Sequence, residues 1–110
     1  MKIPLSRIAH GRSGDKGDTS NVGIIAYHPH HYAILVRELT PARVKAHFGD
    51  LVKGDVTRYE LANLGALNFL LEKALGGGGT LSLRTDAQGK TFSAALLKME
   101  IETDERELES

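Results

Sequence analysis

The stretch from His10 to Asn21, "HGRSGDKGDTSN", constrains the fold of this chain more than any other. It holds Gly11, Gly14 and Gly17 at spacing three, with two cations, two carboxylates and no apolar side chain. Apolar stretches flank it on both sides. An ordinary β-hairpin needs about two to five connecting residues, so a polar segment of this length exceeds what a turn requires. It reads as a long loop, either a plain mobile one or one built to hold something.

The chain has 110 residues, the size of one ordinary domain. A domain this long buries roughly two-thirds of its unfolded surface, enough for a core without covalent staples. There is no cysteine, which excludes disulfides and thiolate metal sites and gives no sign of an oxidising compartment. The start "MKIPLSRIAH" has no apolar signal-peptide region, and no apolar run approaches the roughly 18 residues of a membrane helix. The expectation is a soluble cytoplasmic protein with no membrane contact.

A net charge of zero hides an asymmetry. The segment "ETDERELES", Glu102 to Ser110, holds five acids and one arginine, leaving 13 Lys and Arg against 9 Asp and Glu in residues 1–101. Scattered basic residues and few aromatics suit a small anionic ligand better than a nucleic acid. Residues 1–101 read as a single α+β domain and residues 102–110 as an acidic, disordered tail.

Along the chain, Ile3 to Ala9 predicts a first strand, and "TSNVGIIAY" after the glycine segment a second, covered on both sides. "HPHHYAILVREL" fits either a strand or a helix. Pro29 can occupy a first helical turn, which favours the helix. Thr40 and Pro41 then cap and start a short helix, "PARVKAHF", that Gly49 ends. "DVTRYEL" alternates as a strand does. Asn63 is placed to cap a helix "LGALNFLLEKAL", with Leu64, Leu67, Leu71 and Leu75 at helical spacing and Gly76 as its stop. "TLSLRTD" and "KTFSAALLKMEI" predict a hairpin around "DAQGK". A change of apolar parity in its second arm predicts a β-bulge near Ala95 to Leu97. The sum is a ferredoxin-like layout: a mainly antiparallel sheet with helices on one face. The uncovered face of such a sheet commonly pairs with another subunit, so a homo-oligomer is expected.

In the glycine segment, positive-φ glycines would let backbone N–H groups converge into a concave anion site. Arg12 would add a planar fork and Lys16 a point charge. Asp15 and Asp18 could orient those cations, cap the turn or act as a general base. Ser13, Thr19, Ser20 and Asn21 supply neutral donors. The segment is not a phosphate-binding P-loop, because Lys16 precedes Gly17 and Asp18 follows it. Its spacing is also wrong for a dinucleotide fingerprint.

"GRSGDKGDTSNVGIIAY", "RYELANLGALNFLLEKALGGGG" and "SLRTDAQGKTFSAALLKMEI" together resemble the AtuA-like domain, named from acyclic terpene utilisation proteins. The likeness runs from about Ile8 to Ile101, and "RSGDKG" is its most specific part; Ala62 stands where that family often has proline. The resemblance implies a ferredoxin fold, and a role in catabolism of terpenoid or other branched acids handled as coenzyme A thioesters. In that family the domain usually forms the C-terminal part of a longer protein. This chain would then be an excised domain or a small subunit whose partner is a large AtuA-like N-terminal subunit. Carried onto this sequence, the resemblance marks Asp15 and Lys16 as candidate catalytic residues. Arg12, Ser13, Gly14, Gly17 and Asn21 become candidate ligand-binding residues for a small anion or an acyl-CoA. No cofactor is implied. Whether the chain is itself an enzyme or an accessory subunit is left open, and the alternative is a non-catalytic oligomerisation module.

"HPHH" raises a metal site, but His30 and His31 diverge on a helix or a strand, so a solvated turn is the expectation and no metal is assigned. "GGGG", Gly76 to Gly79, follows a helix instead of opening one, where the dipole repels anions, and reads as a flexible stop. Arg58 and Glu60 lie two apart on one strand face and would pair there, with Arg84 able to join them from a neighbouring strand.

Overall fold

The computed structural model describes residues 1–16, 19–74 and 90–109. Two antiparallel sheets form. The larger has four strands: β2 (Ala9–Lys16), β3 (Thr19–Ala26), β4 (Val56–Leu61) and β5 (Ala66–Leu71), in the order β2-β3-β5-β4. The smaller pairs β1 (Lys2–Pro4) with β6 (Glu100–Glu102) through Ile3 and Ile101. Helices α1 (Tyr32–Glu38), α2 (Pro41–Phe48) and α3 (Lys90–Leu97) pack on one face of the large sheet. The fold is α+β and ferredoxin-like, as the sequence leads one to expect. Among the described residues no helix is long and apolar enough to cross a membrane.

The core lies between that face and the helices. Val22, Ile24, Leu67, Phe69 and Leu71 point down from the sheet and meet Ile34, Leu35, Leu39, Val44, Phe48, Phe92 and Leu96. The first helices form as their sequence dictates. Pro29 opens the 3-10 turn that leads into α1, Thr40 Oγ1 accepts the Arg43 amide at 3.2 Å, and Gly49 ends α2 at φ 59°. Arg58 donates to the carbonyls of Val36 and Leu39 at 2.8 and 3.2 Å and pairs with Glu60 at 3.0 Å, tying β4 to α1.

Several expected elements fold otherwise. The first strand is cut at Pro4: β1 ends there, and Leu5–Arg7 makes a 3-10 turn in which Leu5 is fully buried and its amide donates to Met99 O. The helix expected after Asn63 is instead β5. Ala62–Leu64 is a 3-10 turn, Gly65 takes a left-handed conformation at φ 61°, and the chain folds back antiparallel onto β4 with Leu61 opposite Ala66. Leu67 and Leu71 are four apart, which suits a helix, but Leu67, Phe69 and Leu71 also alternate, and the alternation prevails.

The expected second hairpin arm, with its bulge, is helix α3 followed by β6. Its apparent parity change falls where α3, which buries Phe92 and Leu96, ends and the chain continues through buried Met99 into β6. "TLSLRTD", the "GGGG" run and Arg84 lie outside the described residues.

In the acidic end, residues 104–109 carry a capped helical turn. Asp104 and Glu107 form a reciprocal capping box: Glu107 N donates to Asp104 Oδ1 at 2.9 Å, and Asp104 N to Glu107 Oε1 at 3.3 Å. The short helix α4 (Glu105–Glu109) follows. Arg37 forks onto both Glu107 oxygens, and buried His31 donates its Nε2 hydrogen to Leu108 O at 3.0 Å.

Candidate functional site

Within the glycine segment, residues 10–16 and 19–21 are strand. Residues 9–16 are strand β2, paired residue by residue with β3 from Ala9 opposite Ala26 to Lys16 opposite Thr19. Among the described glycines only Gly49 and Gly65 have positive φ, so Gly11 and Gly14 build no convergent nest of N–H groups. Over residues 9–16 the expected backbone cradle is instead a paired ladder. Strand geometry then sends alternate residues of the segment to opposite faces.

Gly11 faces the helices. A Cβ there would stand 3.2 Å from Ile24 Cδ1 and from Ser93 Cβ, so glycine lets α3 approach β2 closely. Ser13 faces the same way, its hydroxyl donating to Ser93 Oγ at 3.1 Å. It borders the opposite surface only by its place in the strand. Arg12 and Gly14 face the other side, where no described element packs.

That uncovered face is a regular grid of three rows crossing β2, β3, β5 and β4. The first row is Gly14, Asn21, Leu70 and Thr57. Next to it run Arg12, Gly23, Asn68 and Tyr59. His10, Ile25, Ala66 and Leu61 complete the face. None of these twelve residues is an acid. A concavity of about 770 Å³ lies over the first two rows, floored by Gly23, Ile25 and Leu70 and edged by Arg12, Asn21 and Asn68.

The glycines make the concavity. Gly14 has no atom within 4 Å of where a Cβ would stand. At Gly23 the nearest atoms to that position are Asn68 Oδ1 at 3.8 Å and Arg12 O at 3.9 Å. A missing side chain opposite Arg12 thus leaves a gap bordered by the Arg12 main-chain oxygen and the Asn68 amide oxygen. Arg12 is solvent-exposed, and among the described residues no carboxylate pairs with it. Arg37, Arg43 and Arg58 each hold a glutamate.

Of the residues singled out in the sequence, the ladder brings Arg12, Gly14 and Asn21 together on one surface. Asp15 stands opposite Ser20 and Lys16 opposite Thr19, at the end of the same hairpin; Gly17 lies outside the described residues. Gly23 in β3 joins Arg12, Gly14 and Asn21, and so do Asn68 and Leu70, because "LGALNFLL" forms strand β5 instead of the expected helix. The polar Asn68 between Leu67 and Phe69 is the period-two signal that would have found it.

The histidines form no metal centre: among the described residues no group of three or more His, Asp or Glu could hold an ion. His28 and His30 are exposed and stacked at 5.5 Å.

A second polar cluster is structural. Buried Glu38 loses hydration, which opposes its charge, yet it accepts from Glu102 N at 2.7 Å, Arg43 Nη1 at 2.9 Å and Arg37 Nε at 3.1 Å. The balance lowers its pKa below the ordinary 4.5. The hydrogen bond from Arg37, with another from Thr103, brings Glu107 down to about 2.

These features define a small α+β domain whose uncovered sheet face carries a cation-edged, glycine-floored trough. The chain matches the family model of the AtuA ferredoxin-like domain over residues 3–102 and belongs to that family. No curated protein and no solved structure matches it.

Proposed function

We propose that this domain is a small subunit or detached domain of an AtuA-like system in the catabolism of terpenoid or other branched organic acids or their acyl-CoA thioesters. Its part is to bind an anionic group on the uncovered sheet face. The observation that carries this reading is Arg12: an exposed guanidinium, unpaired among the described residues, lining a concavity on the uncovered sheet face whose other lining residues include no acid. Asn21 and Asn68 line the same concavity with side-chain amides. Lys16, further along β2, supplies a second cation. Asp15 takes an orienting or acid–base role on the same hairpin. The large AtuA-like subunit is the expected partner.

Calorimetric titration of the chain with isovalerate and with its coenzyme A thioester tests this. Saturable binding that Arg12→Ala weakens at least tenfold and Lys16→Ala weakens less supports the reading. Equal affinity in wild type and both variants, or no binding of either probe, removes the face from ligand recognition.

A non-catalytic interaction module is the second reading. It is favoured by the exposure of Tyr27, Tyr59, Leu61 and Leu64, between 41% and 69% of their surface, at one end of the same face. Light scattering that returns a monomer at high concentration counts against self-association.

A further inference from the structure

A strand at the edge of a sheet offers a row of spare main-chain groups to another strand. The large sheet has two such edges, β2 and β4. β2 carries Gly11 and Gly14 with Arg12, Asp15 and Lys16, and glycines and charges discourage further pairing. β4, "VTRYEL", holds no glycine, proline or lysine and is rich in strand-forming residues.

The hydrogen bonds on either side of β5 fix which groups of β4 are spare. Ala26 N donates to Gly65 O at 2.9 Å, so Leu67, Phe69 and Leu71 turn their main-chain groups toward β3. Glu72 N donates to Asp55 O at 3.0 Å, so Leu70, Asn68 and Ala66 bond to Thr57, Tyr59 and Leu61. Val56, Arg58 and Glu60 therefore point their N–H and C=O groups out of the sheet. No hydrogen bond among the described residues reaches those groups. Just before them, Lys45 Nζ donates to Gly54 O at 2.5 Å and closes the edge.

We infer that this free edge pairs antiparallel with the same edge of a second copy, about a two-fold axis at Tyr59, to make one eight-stranded sheet. The inference gives the interaction-module reading a defined contact and rests on that reading, not on the anion site.

Charge selects both the occupant and the register. A two-fold pairing through the spare groups must centre on one residue of β4. Centring on Arg58 sets two guanidiniums opposite each other, and centring on Glu60 does the same with two carboxylates. Centring nearer the ends runs the pairing into Gly54, which Lys45 holds, or into the 3-10 turn from Ala62. Centring on Tyr59 places each Arg58 opposite the Glu60 of the second copy, with the two tyrosines paired on the uncovered face. Arg58 is already fixed by the carbonyls of Val36 and Leu39, so its charge needs little further ordering. A foreign strand would have to bring its own acid and base at matching positions. The second copy carries both.

The test is sedimentation equilibrium of the full chain from about 0.01 to 1 mM, together with cysteine cross-linking. A six-residue edge is a small interface, so a weak dimer, half-formed near about 0.1 mM, is expected. Glu60→Arg sets arginine opposite arginine at both pairs and should weaken the dimer about tenfold, while the dilute chain stays folded. The chain has no cysteine of its own. Tyr59→Cys would bring the two Cα atoms to about 4.5 Å, within disulfide range, so oxidised glutathione should cross-link it. Thr57→Cys, also exposed, would stand about 14 Å from its mate and should remain uncross-linked.

A dimer that Glu60→Arg leaves intact, or cross-linking of Thr57→Cys as readily as Tyr59→Cys, overturns the edge pairing and leaves self-association standing through another surface. A monomer at every concentration, with no cross-link in Tyr59→Cys, overturns both and leaves the edge to a strand of another protein.

Discussion

Gly54 and Gly14 are both glycines in or beside the large sheet, and the structure assigns them opposite sensitivities. Gly54 lies just before β4, where its amide donates to Glu72 O at 2.9 Å, flanked by Lys53 N to Lys73 O at 3.3 Å and Glu72 N to Asp55 O at 3.0 Å. A Cβ on Gly54 would stand 2.7 Å from Glu72 O, 2.8 Å from Glu72 Cβ and 2.9 Å from Glu72 C. Two of these three atoms are backbone, so no rotamer change relieves the clash. Gly54→Ala must push the two chains apart. Overpacking of this kind costs about 1–3 kcal/mol. Weakening the central hydrogen bond adds about 1 kcal/mol. A total of about 3 kcal/mol lowers the melting temperature of a domain this size by about 13 °C.

Gly14→Ala meets no atom within 4 Å, and its φ is not positive. It should leave stability unchanged or raise it by about 0.5 kcal/mol, through the lower entropy of the unfolded chain. Thermal melts and urea unfolding of the two variants, followed by circular dichroism, give the comparison. Equal melting temperatures would refute the packing assigned to residues 53–55 against 72–73. A large loss in Gly14→Ala would refute the openness of the face.

Three further outcomes follow from the same contacts. Glu38→Gln should cost about 2 kcal/mol at pH 7, since it weakens charge-assisted hydrogen bonds from two arginines and one amide. The folded pKa of Glu38 is depressed, so its stabilisation is full above the ordinary 4.5 and fades as pH falls through the folded value; urea midpoints at pH 7 and pH 3 should differ between wild type and variant far more at the higher pH. Thr40→Ala removes the side-chain cap of α2 and should lower stability by about 1 kcal/mol in the same assay, while Thr40→Ser restores most of it.

The legible parts of the fold were those whose signals are local. Pro29, Thr40, Pro41 and Gly49 punctuate α1 and α2 through their own backbone chemistry, and "DVTRYEL" alternates with nothing to contradict it. Misreadings came where two periods coexist in one apolar segment. In "LGALNFLL" leucines stand both two and four apart, and the choice of strand is made by the partner β3, which supplies Val22 and Ile24 beside Leu67 and Phe69. "KTFSAALLKMEI" is ambiguous for a related reason, because a helix burying Phe92 and Leu96 runs directly into a strand burying Ile101, and the two together mimic one strand with shifted parity.

The glycine segment misled for another reason. Glycine signals a turn when a positive φ is needed, but here Gly11 admits a helix and Gly14 and Gly23 leave a trough. Both needs arise from neighbours far along the chain. The candidate residues Arg12 and Asn21 were nonetheless recognisable, because an exposed cation in a glycine-rich stretch calls for an anion whatever the backbone does. The rest of the surface, Gly23, Asn68 and Leu70, became visible only when β5 was seen to lie beside β3.

The central claim is that the concavity on the uncovered sheet face, anchored at Arg12, receives a carboxylate. Amide chemical-shift mapping on the isotope-labelled chain, titrated with octanoate, addresses it most directly. The account predicts saturable shifts centred on Arg12, Gly14, Asn21, Gly23 and Asn68, with Val44 and Leu96 on the helical side unmoved, and their disappearance in Arg12→Ala. Shifts confined to other surfaces, or the same shifts in Arg12→Ala, would contradict it.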